Sequence, residues 1–389
     1  MTEDKGGSLR LLLLVQITQS FRGGVVSPIL ALFIRSHGLS VAQIGMLGIS
    51  GMLGWLIFEP LSGVVADRVR KKYMIMFAII TSTVIYASYP FASSIWHFAL
   101  LAFSMSSVMS AYAISVKAMT AELLPSSERG KTYGRFLSVI SMGGIFAPFV
   151  GGYISSAYSY SIPFFLSAGI GVLGLIASSF INYDDRPSVG ENSSGPIFGE
   201  GGLMTRPYAS ILTVRMFFMF NLLFRHHFLP IYLHESPNFR ASETQIGTYM
   251  TIIRVTSALS QTVLGDLNDR IGSKRITVAG VGLLGLSYLG LIYMRGVLPL
   301  FLIGAVQGVL LAASNMSMMI HLMSIMPEGR TGMVMGIYSE AENVGGIVAS
   351  PSLGLIYDGF SPVSCVQTVV IILISTAFLA GIIMKKDEK

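Results

Sequence analysis

Residues 63–72 read GVVADRVRKK, and residues 265–275 read GDLNDRIGSKR. In each, a Gly stands ahead of an Asp-Arg pair, and a basic cluster follows. Asp67 and Asp269 are 202 residues apart in a chain of 389, so the second stretch echoes the first half a chain away. Long apolar runs flank both, which makes them polar turns between membrane spans. Gly63 and Gly265 allow two helices to approach closely. Asp67 and Asp269 have carboxylates suited to a helix N-terminus. Arg68, Lys71 and Arg270 hold the turns on the cytoplasmic side.

The echo extends well beyond these turns. Gln43-Ile44-Gly45 returns as Gln245-Ile246-Gly247, Pro125 as Pro327, Gly130 as Gly332, Gly134 as Gly336, and Gly143-Gly144 as Gly345-Gly346, all at an offset of 202. Phe21-Arg22 returns as Phe224-Arg225 at 203. So constant an offset means two homologous six-helix halves in parallel orientation. Residues 1–182 make the first half and residues 207–389 the second. Residues 183–206, rich in Gly, Pro, Ser and acids, form a cytoplasmic linker too short and polar for a domain.

Composition leads to the same class. Hydrophobic residues make up 52% of the chain and charged residues 12%, against about 25% charged in soluble domains. Twelve apolar stretches, each near the roughly 20 residues a bilayer requires, are drawn at 10–35, 41–66, 73–93, 95–121, 133–157, 161–182, 207–233, 243–267, 276–294, 298–325, 333–357 and 362–384. The expected fold is an all-α membrane protein, with twelve transmembrane helices in two pseudo-symmetric six-helix bundles. Of the 26 Lys and Arg, three (Arg35, Arg240 and Arg295) fall in external loops and six inside spans, which leaves 17 in cytoplasmic loops and tails. This imbalance puts both termini in the cytoplasm. It also reads the net charge of +6 as a topology signal rather than a nucleic-acid surface. A single cysteine, Cys365, excludes an intramolecular disulfide and a Cys-based metal cluster. The first apolar run is too long for a signal-peptide core and is read as a retained span. No Walker loop, dinucleotide fingerprint, nucleophile–base pair or metal cluster is present, so neither an enzyme nor a cofactor is expected.

The paired turns resemble the loops between helices 2 and 3 and between helices 8 and 9 of the major facilitator superfamily, G-x-x-x-D-R-x-G-R/K-R/K. Arg70 stands where that family has Gly, and Ser273 stands where a basic residue is usual. Residues 143–154, GGIFAPFVGGYI, are similar to the antiporter signature of the drug-efflux branch, G-x-x-x-G-P-x-x-G-G. Gly143, Pro148, Gly151 and Gly152 match it, Gly144 adjoins it, and Ala147 replaces its second Gly. Small-residue packing of this kind also occurs in many membrane helices, so the motif leaves the direction of transport open. The resemblance implies two bundles that rock about a cavity near the bilayer midplane, with Asp67 as a latch toward residues 330–334. It also implies an Arg in helix 4 of proton-coupled members. Counting back from Pro125 reaches Val108, and Ser106 and Ser107 beside it are uncharged too.

Charges inside the spans are the site candidates, because burying them in a bilayer is costly. Arg22 falls near the middle of its span, with Gln16 and Gln19 on roughly the same face. Arg225 is its repeat mate, with Asn221 one turn earlier, and Arg254 lies mid-span. Gln19, Arg22, Asn221, Arg225 and Arg254 are therefore candidate substrate-binding residues. A guanidinium surplus suits a carboxylate or phosphate, and paired Arg on helices 1 and 7 also resembles the organophosphate-exchanging branch. Pairing of Arg22 with Glu59 is the alternative. Arg135 and Arg215 are expected to snorkel to the interface, as is Lys117. Glu59 and Glu342 are the proton-coupling candidates, each with the alternative of a permanently paired carboxylate. His226 and His227, in the outer third of their span, are expected in a solvated or interfacial setting, and His321 in a helix contact.

These readings describe a monomeric secondary active transporter in the cell membrane. It moves a small organic solute by alternating access, with efflux driven by a proton gradient. The alternatives are an importer or exchanger of an organic anion and, more distantly, a non-transporting sensor on the same scaffold.

Overall fold

The computed structural model describes residues 5–66, 68–123, 139–140, 142–182, 205–326 and 331–384. Among these residues every regular element is helical. The first half of the chain runs through α1 (Gly6–Ser36), α2 (Val41–Ala66), α3 (Lys71–Phe91), α4 (Ile95–Leu123), α5 (Ala147–Ala157) and α6 (Ile162–Ser179). The second runs through α7 (Arg206–Glu235), α8 (Glu243–Ile271), α9 (Ser273–Tyr293), α10 (Val297–Ile325), α11 (Thr331–Gly359) and α12 (Pro362–Ile383). Eleven of the expected spans fall on these helices, with ends that differ by a few residues, and the fifth, 133–157, meets α5 only in its last part, its first residues lying outside the described ones. Among the described residues, nine helices are long and apolar enough to cross a membrane. Of the other three, α5 (Ala147–Ala157) is short, and α8 and α11 are more polar, with Arg254 in the one and Glu340 and Glu342 in the other.

Local chemistry accounts for much of the sequence repeat. At the start of α2, the Gln43 amide donates to Ser40 Oγ at 3.2 Å and the Ser40 amide to Gln43 Oε1 at 2.8 Å. At the start of α8, Ser242 and Gln245 exchange the same two bonds at 3.0 and 3.3 Å. These are reciprocal capping boxes, worth about 1 kcal/mol each by the usual cost of losing a cap. Just before them, Gly38 has φ 82° and its mate Arg240 has φ 43°. The turn needs the left-handed region in both halves, and only the first supplies a glycine for it.

The chain divides into two compact units, Met1–Leu39 with Ser50–Gly190 and Ser242–Thr251, and Ser40–Ile49 with Glu191–Ala241 and Ile252–Lys389. In the first unit, Leu12 and Val15 of α1 meet Ile75, Ala78 and Ile79 of α3, Val116 and Met119 of α4, and Ala177 of α6. In the second, Leu264 of α8, Ile276 of α9, and Ala312 and Ala313 of α10 form a smaller cluster. Lipid tails are as apolar as these side chains, so the clusters hold by close packing rather than by escape from water.

Candidate functional site

In the second unit, α7 is not a uniform helix. Residues Phe224–Phe228 form a π-helical turn, with the Leu229 amide bonding back to the Phe224 carbonyl. Pro230 follows directly; it has no N–H to offer the carbonyl four residues back, and its ring crowds that carbonyl. A π turn holds one extra residue, which matches the change of repeat offset from 202 to 203 at Phe224-Arg225. Within the turn, Arg225 Nη2 lies 3.3 Å from His226 Nε2. His227 turns elsewhere, with Nδ1 3.5 Å from Ser350 Oγ of α11. Both histidines are half-buried.

Deeper along the same unit, Arg215 Nε of α7 lies 2.6 Å from Glu342 Oε1 of α11. Arg215 Nη1 donates to Asn315 Oδ1 of α10 at 2.7 Å. The guanidinium also stands over Phe218 at 5.6 Å and Tyr338 at 5.3 Å. Arg215 was expected to snorkel to the interface. It turns into the unit instead, because a carboxylate, an amide oxygen and two ring faces hold it there. Glu340, two residues from Glu342, accepts from Asn343 Nδ2 at 3.2 Å.

Arg22 occupies a different environment in the first unit. Its side chain is 1% exposed. Nη1 donates to Gln19 Oε1 at 3.3 Å and Ser82 Oγ at 3.2 Å, and Nη2 to Thr83 Oγ1 at 3.2 Å. The guanidinium lies 4.8 Å from the Tyr86 ring centre. Gly171 of α6 leaves the room it needs, since a Cβ there would lie 2.8 Å from Arg22 Cζ. Arg22 is thus enclosed by α3 and α6 among neutral groups, and Glu59, half-buried on α2, is not one of them. Asn221, the mate of Gln19, is fully buried and accepts from Tyr288 OH, the mate of Tyr86, at 2.6 Å. The structure therefore brings Gln19 together with Arg22. Lys117 is exposed.

The paired turns reveal roles for their basic residues. Asp67 lies outside the described residues. Lys71 is 4% exposed, and its Nζ lies 3.0 Å from Glu122 Oε1 of α4. Lys72 Nζ donates to the carbonyls of Ser179 and Ile181 at 2.7 and 2.6 Å, closing the end of α6. Its mate Lys274 donates to the Met384 carbonyl at 2.5 Å, at the end of α12. Each cation thus meets the negative end of its helix. Asp269 and Arg270 are exposed in the last turn of α8, which Gly272 ends at φ 97°. Arg70, in the matching place, has φ −58° and ψ 124°, an extended conformation that needs no glycine. Ser273, buried, lies 3.1 Å from His321 Nδ1 and fills the place of Lys71. Arg68 is exposed. Gly63 has no described neighbour within 4 Å of where a Cβ would stand, and Gly265 has only the flexible end of Met316 at 3.3 Å. The close approach expected at these glycines is not seen among the described residues.

It occurs at the α5 motif. A Cβ on Gly143 would lie 2.7 Å from Ile17 Cγ2, one on Gly151 would overlap the Val25 carbonyl, and one on Gly152 the Glu243 carbonyl. Pro148 packs on Gly247 of α8. Gly144 sits buried beside them. The second unit holds the mate of this crossing. Gly45 of α2 packs on the Ser350 carbonyl, where a Cβ would lie at 2.6 Å, and Gly354 of α11 packs on the Val41 carbonyl at 2.8 Å. Both crossings carry a carboxylate. Asp358 Oδ2 accepts from the Ala42 amide at 2.6 Å at the start of α2. Glu243 accepts from the Tyr160 hydroxyl, whose pKa is pushed up by burial and by that carboxylate. Sequence reasoning missed Asp358 and Glu243, because their partners lie on other helices.

Comparison with known proteins places this architecture. The family profile of the Major Facilitator Superfamily matches residues 12–235 and 216–388. An uncharacterised MFS-type transporter of Methanocaldococcus jannaschii is 22% identical over 344 residues, covering 86% of this chain and 87% of that protein. The quinolone resistance protein NorA of Staphylococcus aureus is 28% identical over 167 residues, a match spanning 42% of each chain. Among solved structures, the nucleoside transporter NupG aligns with a TM-score of 0.83 at 15% identity, over 96% of this chain and 98% of that one. A bacterial homologue of the human lysosomal transporter Spinster, solved inward-facing and unoccupied, aligns with a TM-score of 0.80 at 13% identity, over 98% and 97%. The likeness to these structures is one of fold. Taken with the profile match over both halves, it establishes that the chain belongs to the Major Facilitator Superfamily, a family of secondary membrane transporters rather than enzymes.

Proposed function

We propose that the protein exports a small organic solute in exchange for protons, by alternating access between two halves, residues 1–182 and 207–389, joined by the linker 183–206. The observation that carries the coupling is the Arg215–Glu342 pair, a titratable carboxylate held half-buried at 2.6 Å from a guanidinium. Protonation of Glu342 breaks the pair and leaves Arg215 held by Asn315 and the two rings alone; deprotonation restores it. That is a two-state element which a proton gradient can bias. Export is supported by similarity to a quinolone resistance protein and by the dense packing of the α5 motif. Lys and Arg concentrated on one side support both termini in the cytoplasm of a cell-membrane protein, and a monomer suffices for this scheme.

Liposomes with an imposed pH difference test the reading, with cationic, neutral and anionic fluorescent solutes. The wild type is expected to accumulate at least one of them. Glu342→Gln is expected to lose gradient-driven accumulation while keeping solute exchange. Accumulation by the Gln variant at the wild-type rate would remove Glu342 from coupling, and no movement of any solute would overturn export.

A further inference from the structure

The two glycine crossings repeat at the offset of 202. Gly45 on the Ser350 carbonyl corresponds to Gly247 on that of Pro148, and Gly354 on the Val41 carbonyl corresponds to Gly152 on that of Glu243. Each crossing joins the start of a helix from one half of the sequence to a helix from the other half, and each lies within one compact unit. The carboxylates break this symmetry. Asp358 of α11 reaches across its crossing to the Ala42 amide at 2.6 Å. Its mate is Ser156, and the carboxylate of the other crossing, Glu243, accepts from the Tyr160 hydroxyl instead. Ala42 is the second residue of α2, where amides have no acceptor within their own helix. The capping box there serves Ser40 and Gln43. Asp358 thus brings an acceptor and a negative charge to the positive end of α2 from another helix.

We propose that Asp358 is a latch residue, which holds the start of α2 against α11 and whose release lets that end of the protein open during transport. The latch rests on the alternating-access reading above and names a residue that controls it. Contacts between a glycine and a carbonyl are individually weak, and apolar side chains gain little from one another when lipid is the alternative. A carboxylate on an amide adds a directional bond stronger than a neutral one. Ala42 is half-buried and Asp358 is exposed, so water takes the place of each partner once the crossing parts, and the bond is reversible. Ser350 lies under this crossing. It is 0% exposed, and its hydroxyl fills the space that a Cβ on Gly48 would need. Solvent therefore reaches Ser350 only when α2 moves off α11.

A cysteine placed under the latch tests it on the purified full chain in nanodiscs, where reagent reaches both faces and the result does not depend on orientation. Ser350→Cys is expected to react slowly with a polar maleimide. Adding Asp358→Asn, which keeps an acceptor without the charge, or Asp358→Ala, which keeps neither, is expected to raise the rate roughly three- to tenfold, with Ala above Asn. Ser156→Ala, at the mate position, is expected to leave the rate unchanged. Cys365, 0% exposed, reports general loosening in the same samples and is expected to stay unlabelled. Equal rates with and without Asp358 would overturn the latch. A parallel rise at Cys365 would also overturn it, by making Asp358 a support of the fold alone. Transport gives a second measurement. Ala42→Cys joined to Asp358→Cys by a short cleavable cross-linker is expected to stop solute movement in liposomes, and cleavage to restore it. Full transport with the cross-link in place would overturn the proposal. No solute movement by the wild type would instead defeat the export reading, and the labelling comparison would still decide the latch.

Discussion

Three arginines inside the spans of this chain meet different fates, and their neighbours decide which. Arg215 meets a carboxylate, Arg225 meets an imidazole, and Arg22 meets only neutral oxygens and a ring. A buried charge without a counter-charge depends on hydrogen bonds and polarisable neighbours for its compensation, and replacing it with an apolar side chain of similar volume is often tolerated. Arg22→Met is therefore expected to shift the melting temperature modestly while leaving solute affinity unchanged. Binding and melting curves on the same preparation check this. A tenfold loss of affinity at unchanged stability would show that Arg22 contacts the solute.

At the scale of elements, glycines matter where two backbones meet and not simply where a motif contains them. Gly354 and Gly63 make the contrast. A Cβ on Gly354 would lie 2.8 Å from the Val41 carbonyl and 3.0 Å from Ala42 Cα, both rigid backbone, whereas one on Gly63 would meet no described atom within 4 Å. Gly354→Ala is expected to destabilise the protein by about 1–3 kcal/mol, the usual range for overpacking. Gly63→Ala is expected to stay within about 0.5 kcal/mol. Thermal unfolding in a single lipid system compares them directly; equal effects would mean that the α2–α11 crossing yields easily. The same logic explains why the motif tolerates Arg70, whose backbone is extended, but has Gly272 at φ 97° in the second copy.

For the whole molecule, orientation is the property most directly open to test. Cys365, the single cysteine, is 0% exposed, so the native chain offers little background to thiol reagents. A membrane-impermeant maleimide is expected to label Arg295→Cys in intact cells and Lys389→Cys only after the cells are opened. The reverse pattern would invert the topology and, with it, the sense of export. The basic residues that set this orientation also serve the fold, since Lys72 and Lys274 close the ends of α6 and α12.

The all-helical membrane class, the two-fold repeat and the twelve spans were legible in the residues alone. Apolar length and an offset of 202 are one-dimensional properties, and a bilayer tolerates few structures that satisfy them. The capping boxes were latent in Ser40–Gln43 and Ser242–Gln245 for the same reason, because their bonds are local. Charged positions were legible too, since charge is rare in such a sequence. Their partners were not. Arg215 with Glu342, Lys71 with Glu122 and Asp358 with the Ala42 amide join residues far apart in the chain, and the face each helix turns to its neighbour depends on packing rather than on sequence spacing. The π turn at Phe224–Phe228 interrupts a span that reads as plain helix. Span count and repeat were thus decided by composition along the chain, and the identity of each charge's partner by tertiary structure, because helix rotation is set only when helices meet.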